Sequence, residues 1–191
     1  MSAATHKAVV IGASAGALEA LSGILPSLPD DFDLPVLVVV HVPPDRRSVL
    51  AELFQAKCRI PVREAEDKEP ISAGTIYFAP PDYHLLVEMD KSLALSSDEA
   101  VLFSRPSIDV LFETAAEAYG SDLIAVILSG ANSDGSKGLS AVIQAGGTAL
   151  IQDPTSAFAS AMPSAAIAAC PDGRIMSLDR IAGYLAAVRA P

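Results

Sequence analysis

A serine, a histidine and an aspartate each stand just beyond an apolar run in this chain. Ser14 lies in Gly12-Ala13-Ser14-Ala15-Gly16, a G-x-S-x-G stretch. It separates Val9-Val10-Ile11 from a segment with Leu18, Leu21, Ile24 and Leu25 at helical spacing. His41 closes the run Val36-Leu37-Val38-Val39-Val40, and the Pro43-Pro44 pair beyond it stops both strand and helix. Asp134 follows the run 123–128 in Ser129-Gly130-Ala131-Asn132-Ser133-Asp134-Gly135. A serine hydroxyl alone is a poor nucleophile at neutral pH. It needs an imidazole to take its proton and a carboxylate to hold that imidazole in the right tautomer. The chain supplies one of each, and acyl transfer is the chemistry the three can perform together.

Each residue also has a plainer use. A glycine-flanked turn at a helix N-terminus suits a phosphate as well as an oxyanion, so the motif alone leaves acyl chemistry and anion binding open. Ser14 could cap the first helix, His41 could bond to backbone, and Asp134 before Gly135 could be a turn or cap residue. His6, near the N-terminus, and His84, after Pro80-Pro81-Asp82, read as non-catalytic. Three dispersed histidines without HExxH or CxxC spacing predict neither a catalytic metal nor a cofactor.

The elements that must carry these residues follow from the pattern of apolar runs. Buried strands are expected over 9–11, 36–40, 123–128 and 148–151, with helices over 48–57, 107–120, 162–169 and 178–188 and a further helix ending near 145. A small strand is expected over 174–176. Residues 59–100 change character, with strand-length pieces at 75–79, 83–88 and 92–95 between turn signals. They read as an antiparallel hairpin or meander inserted at the edge of a parallel sheet. The expected fold is α/β: a doubly wound, mostly parallel sheet with helices on both faces and that small insertion. In such sheets sites form outside the carboxyl ends of the strands, where Ser14, His41 and Asp134 all fall.

Composition narrows the function classes. The 191 residues carry a formal charge of −10, and no long basic stripe offers itself to nucleic acid. The mean hydropathy is +0.39, but the apolar runs fall well short of the roughly 18 residues of a membrane span, so no insertion is expected. Cys58 and Cys170 lie far apart, and with no signal peptide they fit buried thiols in a reducing cytoplasm. One domain over 1–191 is expected, with 59–100 as its only subdivision.

Over nearly its whole length the chain resembles the catalytic domain of the CheB protein-glutamate methylesterases. The blocks that carry the resemblance run in order, from Ile11-Gly-Ala-Ser-Ala-Gly16 and Val38-Val-Val-His-Val-Pro43 through Ser104-Arg-Pro-Ser-Ile-Asp-Val-Leu-Phe112. Val126-Ile-Leu-Ser-Gly130, Asp134-Gly135, Gln152-Asp-Pro154 and Met162-Pro163 continue it. The resemblance implies hydrolysis of γ-glutamyl methyl esters on chemoreceptor cytoplasmic helices, with deamidation of receptor glutamines as a second activity. It assigns the nucleophile to Ser14, the base to His41 and the orienting acid to Asp134, with Ala15 and Ala131 backbone amides at the oxyanion. Two departures stand out: Ala15 where the family commonly has threonine, and Gly130-Ala131-Asn132 where many members have Gly-Met-Gly. The family's phosphorylated receiver domain has no counterpart here, which implies a stand-alone esterase whose control would come from a cognate methyltransferase or a separate receiver protein. The other readings are a silent receptor-binding domain and a phosphate- or nucleotide-binding module.

Overall fold

Strands buried on both faces are read by which face each residue serves, and here alternate residues of the central strands divide between two cores. The computed structural model describes residues 7–43, 45 and 47–190. His6, Pro44 and Arg46, which figure in the sequence reading, lie outside the described residues. The strands are β1 (Ala8–Ala13), β2 (Val36–Val40), β3 (Val62–Glu64), β4 (Ile76–Phe78), β5 (His84–Val87), β6 (Leu93–Ser96), β7 (Leu123–Ile127), β8 (Thr148–Gln152) and β9 (Arg174–Met176). The helices are α1 (Ala17–Ile24), α2 (Leu50–Gln55), α3 (Ile108–Tyr119), α4 (Ser136–Gln144), α5 (Ala161–Ala169) and α6 (Leu178–Ala187).

Seven strands form one parallel sheet in the order β3-β4-β2-β1-β7-β8-β9, while β5 and β6 pair antiparallel as a separate two-stranded sheet. Val9, Ile11, Val36 and Val38 face one layer, where Leu21 of α1, Phe54 of α2 and Ile181 of α6 cover them. Val10, Leu37, Val39 and Ala125 face the other, against Phe112 of α3, Leu139 of α4 and Met162 of α5. This is the doubly wound α/β sheet expected, with helices on both faces. The chain winds one way from β1 through β2 and the other way through β7, so the carboxyl end of β1 is the switch point where such sheets bind ligands.

Two local expectations are corrected. The strand at 75–79 is not part of an antiparallel meander: β4 runs parallel in the main sheet between β2 and β3. Its Ile76, Tyr77 and Phe78 are buried on both faces, which suits a sheet interior rather than a hairpin. Among the described strands, β5 and β6 are the pair that runs antiparallel. They lie over the α3 layer, where Leu85, Val87 and Leu93 join the core. In α1, Leu18 does not point inward. It is half exposed, because Ala17, Ala20, Leu21 and Ile24 make the buried stripe.

Candidate active site

The three sequence-selected residues meet at one edge of the sheet. Ala13 and Val40 are register partners at the ends of β1 and β2, and the His41 N–H donates to the Ala13 carbonyl at 3.2 Å. Ser14 and His41, the next residues along, therefore leave the ends of two adjacent strands side by side. His41 Nε2 bonds the Asp134 Oδ2 at 2.7 Å. A carboxylate only accepts, so Nε2 carries the proton and Nδ1 keeps the lone pair, free to act as a base. Among the described residues Ser14 Oγ makes no hydrogen bond within the fold.

The serine turn is fixed from below. Ser14 donates its N–H to the Ser129 carbonyl at 2.9 Å, and the Ala17 N–H returns to the Ser14 carbonyl at 2.9 Å. Ser129, buried at the end of β7, donates its hydroxyl to the Ala15 carbonyl at 2.6 Å and accepts the Ala159 N–H at 2.9 Å. Its own N–H goes to Gln152 Oε1, at the end of β8, at 3.0 Å. Gly16 caps α1 with φ of 81°, and a side chain there would meet Phe158 Cβ at 2.6 Å and Ser129 Oγ at 2.8 Å. Only glycine serves both the conformation and the space. Neither the Ala15 nor the Ala131 N–H is taken up by the fold among the described residues, which leaves both able to receive an oxyanion.

Asp134 is fully buried, and its surroundings explain how a buried carboxylate stays charged. Besides His41, it accepts the Ile108 N–H at Oδ2 (2.7 Å), and at Oδ1 the Asp109 N–H (3.0 Å) and the Ser107 hydroxyl (2.9 Å). It thereby fills the N-terminus of α3, whose own N-cap residue Ser107 makes no side-chain cap. Burial works to raise its pKa. The His41 bond, then the Asp109 and Ile108 N–H groups, outweigh it and hold the carboxyl below its ordinary range.

Asp109 returns the exchange. From the first turn of α3 its Oδ1 accepts the N–H groups of Gly135 at 3.0 Å and Gly138 at 2.7 Å, capping α4. Burial pushes its carboxyl up to about 6, with the charges of Asp134 and Glu113 adding to the rise against those two bonds. Gly12 and Gly135 let the helices come close enough for this crossed capping, since a Cβ on either would strike Ile108 at 2.4 or 2.8 Å. His84 belongs to the support. Its Nδ1 accepts the Ser107 N–H at 3.1 Å and its Nε2 donates to the Glu99 carbonyl at 2.9 Å. Among the described residues no group of three or more histidine, cysteine or acidic side chains could hold a metal.

Sequence reasoning did not single out Asp109, Ser129 or Gln152. A polar residue directly ending an apolar strand marks Ser129 and Gln152. An acid in the first turn of α3 marks Asp109, although as a self-cap and not as a cap for another helix.

An open parallel sheet with a serine-bearing turn at its switch point, and an imidazole–carboxylate pair beside it, defines the class: a doubly wound α/β protein with the elements of a serine hydrolase. Comparison with known proteins makes the assignment particular. The family model described as CheB methylesterase matches residues 9–185. A Leptospira interrogans protein named "Putative protein-glutamate methylesterase/protein-glutamine glutaminase" is 48% identical over 177 residues, covering 93% of this chain and 92% of the relative. Protein-glutamate methylesterase/protein-glutamine glutaminase 1 of Rhodospirillum rubrum is 36% identical over 93% of this chain, which spans 47% of that longer relative. The crystal structure of the Thermotoga maritima CheB methylesterase catalytic domain superposes with a TM-score of 0.90 at 35% identity, covering 95% of this chain and 97% of that one. The chain belongs to the CheB methylesterase family.

Proposed function

We propose that this chain hydrolyses γ-glutamyl methyl esters on chemoreceptor proteins, and deamidates glutamine side chains, through Ser14, His41 and Asp134. The observation that carries the reading is the 2.7 Å bond from His41 Nε2 to Asp134, made by a histidine laterally next to Ser14. It commits one ring nitrogen and frees the other, Nδ1, for the serine proton.

Ser14 Oγ attacks the ester carbonyl as its proton passes to His41 Nδ1. Asp134 stabilises the imidazolium that forms. The Ala15 and Ala131 N–H groups receive the oxyanion; they are backbone donors, so the departures of side chain at these positions leave the donor groups in place. The C–O bond breaks and methanol leaves with the proton from His41. Water then attacks the acyl-enzyme, giving its proton to His41, and the glutamate side chain departs as Ser14 recovers its hydrogen. With a glutamine side chain the same steps release ammonia.

The chain acts as one catalytic domain over 1–191 in this reading, in the cytoplasm, on a protein substrate. No helix among the described residues is long and apolar enough to cross a membrane. A cognate methyltransferase or a separate receiver protein would control it. The test is methanol release from methylated receptor by the wild type against Ser14→Ala, His41→Ala and Asp134→Ala. Each variant should lose at least a hundredfold in kcat. Undiminished release by Ser14→Ala would overturn the proposal.

A further inference from the structure

Two phenylalanines lie in the open on either side of Ser14. Phe103 is fully exposed and Phe158 is 77% exposed. Along the sheet edge the order is β2, β1, β7, so His41 flanks Ser14 on one side and Ser129 on the other. Phe103 lines a cavity of about 460 Å3 together with His41, Pro43, Asp82, Arg105 and Pro106. Phe158 borders a shallow cleft with Gly16, Ser129 and Gln152, and its Cβ sits where a Gly16 side chain would lie. The two rings thus stand over two separate hollows, one beside His41 and one beside Gly16 and Ser129, the residues that flank Ser14.

The Phe103 turn is built to present that ring. Val101 and Ser104 exchange backbone hydrogen bonds at 3.0 and 2.8 Å, closing a two-residue turn in which Leu102 has φ of 47° and Phe103 φ of 63°. Tight turns with two successive left-handed residues favour Asn-Gly, because bulky side chains rarely adopt that region. Here the two positions hold large apolar residues, both exposed. Strained, exposed apolar residues beside a reactive histidine are what a binding site retains and a purely structural turn does not. The turn is anchored by Arg105, whose guanidinium binds Asp82 at 2.6 and 3.0 Å and the carbonyls of Ser97 and Asp98 at 2.9 and 3.0 Å. Arg105 and Asp82 thereby offset each other's charge, and Phe103 supplies the large apolar surface of a cavity that is otherwise mixed in character.

We infer that Phe103 and Phe158 are the specificity-determining contacts for the polypeptide segment that carries the ester, gripping it on the His41 side and the Ser129 side of Ser14. The inference rests on the methylesterase reading of the site. The ester lies at the tip of a side chain, so the polypeptide that bears it stays outside the serine turn, at the rim where Phe103 and Phe158 are exposed. A free small ester carries no polypeptide, so its turnover gives the reference against which the two rings are read.

The experiment compares kcat/KM for a methylated receptor fragment with kcat/KM for p-nitrophenyl acetate in the wild type, Phe103→Ser, Phe158→Ser and the double variant. Both side chains are exposed, and thermal melts check that the variants fold. The ratio of protein-ester to small-ester kcat/KM should fall about tenfold in each single variant and about a hundredfold in the double. The loss should lie mainly in KM for the receptor fragment. An unchanged ratio, or a ratio that falls through kcat alone, overturns the inference. A wild type that hydrolyses neither ester refutes the methylesterase reading itself. A wild type that hydrolyses both while the variants keep its ratio refutes only the role of the two rings.

Discussion

Asp134→Asn is the change whose consequences the geometry fixes most tightly. Four donors surround the carboxylate, two to each oxygen: His41 Nε2 and the Ile108 N–H at Oδ2, the Ser107 hydroxyl and the Asp109 N–H at Oδ1. An asparagine replaces one of those oxygens with an NH2 group, which cannot accept. The imidazole can change tautomer and the hydroxyl can rotate, but a peptide N–H can do neither. Whichever way the amide is turned, one N–H of α3 is left buried without an acceptor, at a cost of about 1–3 kcal/mol. Losing the negative charge at the α3 N-terminus removes roughly another 1 kcal/mol. The variant should therefore unfold about 2–4 kcal/mol more easily, with a lower urea midpoint and an unchanged m value. Either orientation also removes the charge that stabilises the His41 imidazolium, and one of them gives the ring the wrong tautomer. The kcat for methanol release should fall by about 10²–10⁴-fold, equivalent to roughly 2.7–5.4 kcal/mol in the barrier. Stability within about 0.5 kcal/mol of wild type, together with kcat within threefold, would refute the account of this carboxylate.

Asp109→Asn tests the crossed capping through pH. Both of its backbone bonds are to Oδ1, so an asparagine oxygen can keep them. A folded-state pKa raised to about 6 stabilises the fold below the ordinary carboxylate range, and that contribution is lost as pH rises through 6. Urea unfolding of both proteins from pH 4 to pH 7 should show the wild type losing stability relative to the variant as pH rises; a flat difference would deny the shift. In Gly16→Ala, the left-handed φ costs roughly 1–2 kcal/mol, and the new methyl strikes Phe158 and Ser129. Melting temperature and kcat should both drop, and retention of both would show that the turn relaxes freely.

What the sequence reveals and what it hides divide along a physical line. Ser14 and His41 were legible because each directly ends an apolar run, and parallel strands place their ends at one edge. Asp134 was legible as the acid in the loop beyond the third such strand, but its partners were not. Its contacts on α3 are backbone groups 25 and 26 residues away, and no side-chain pattern announces a carboxylate that caps a different helix. Ser129 stayed hidden likewise, its role being to hold the carbonyl of Ala15 across 114 residues. Pairing direction is also absent from local pattern. The Ile76–Phe78 strand has the composition of either a hairpin or a sheet interior, and only its neighbours β2 and β3 decide. The Leu18 error came from counting periodicity without asking which turn of α1 meets the sheet. Small Ala17 and Ala20 do so instead.

In the proposed mechanism His41, aligned by Asp134, makes Ser14 nucleophilic. Reaction with a fluorophosphonate probe followed by peptide mapping reads this directly. The adduct should fall on the peptide containing Ser14, be absent in Ser14→Ala, and form at least about a hundredfold more slowly in His41→Ala. An adduct on another residue, or labelling of His41→Ala at the wild-type rate, would contradict it.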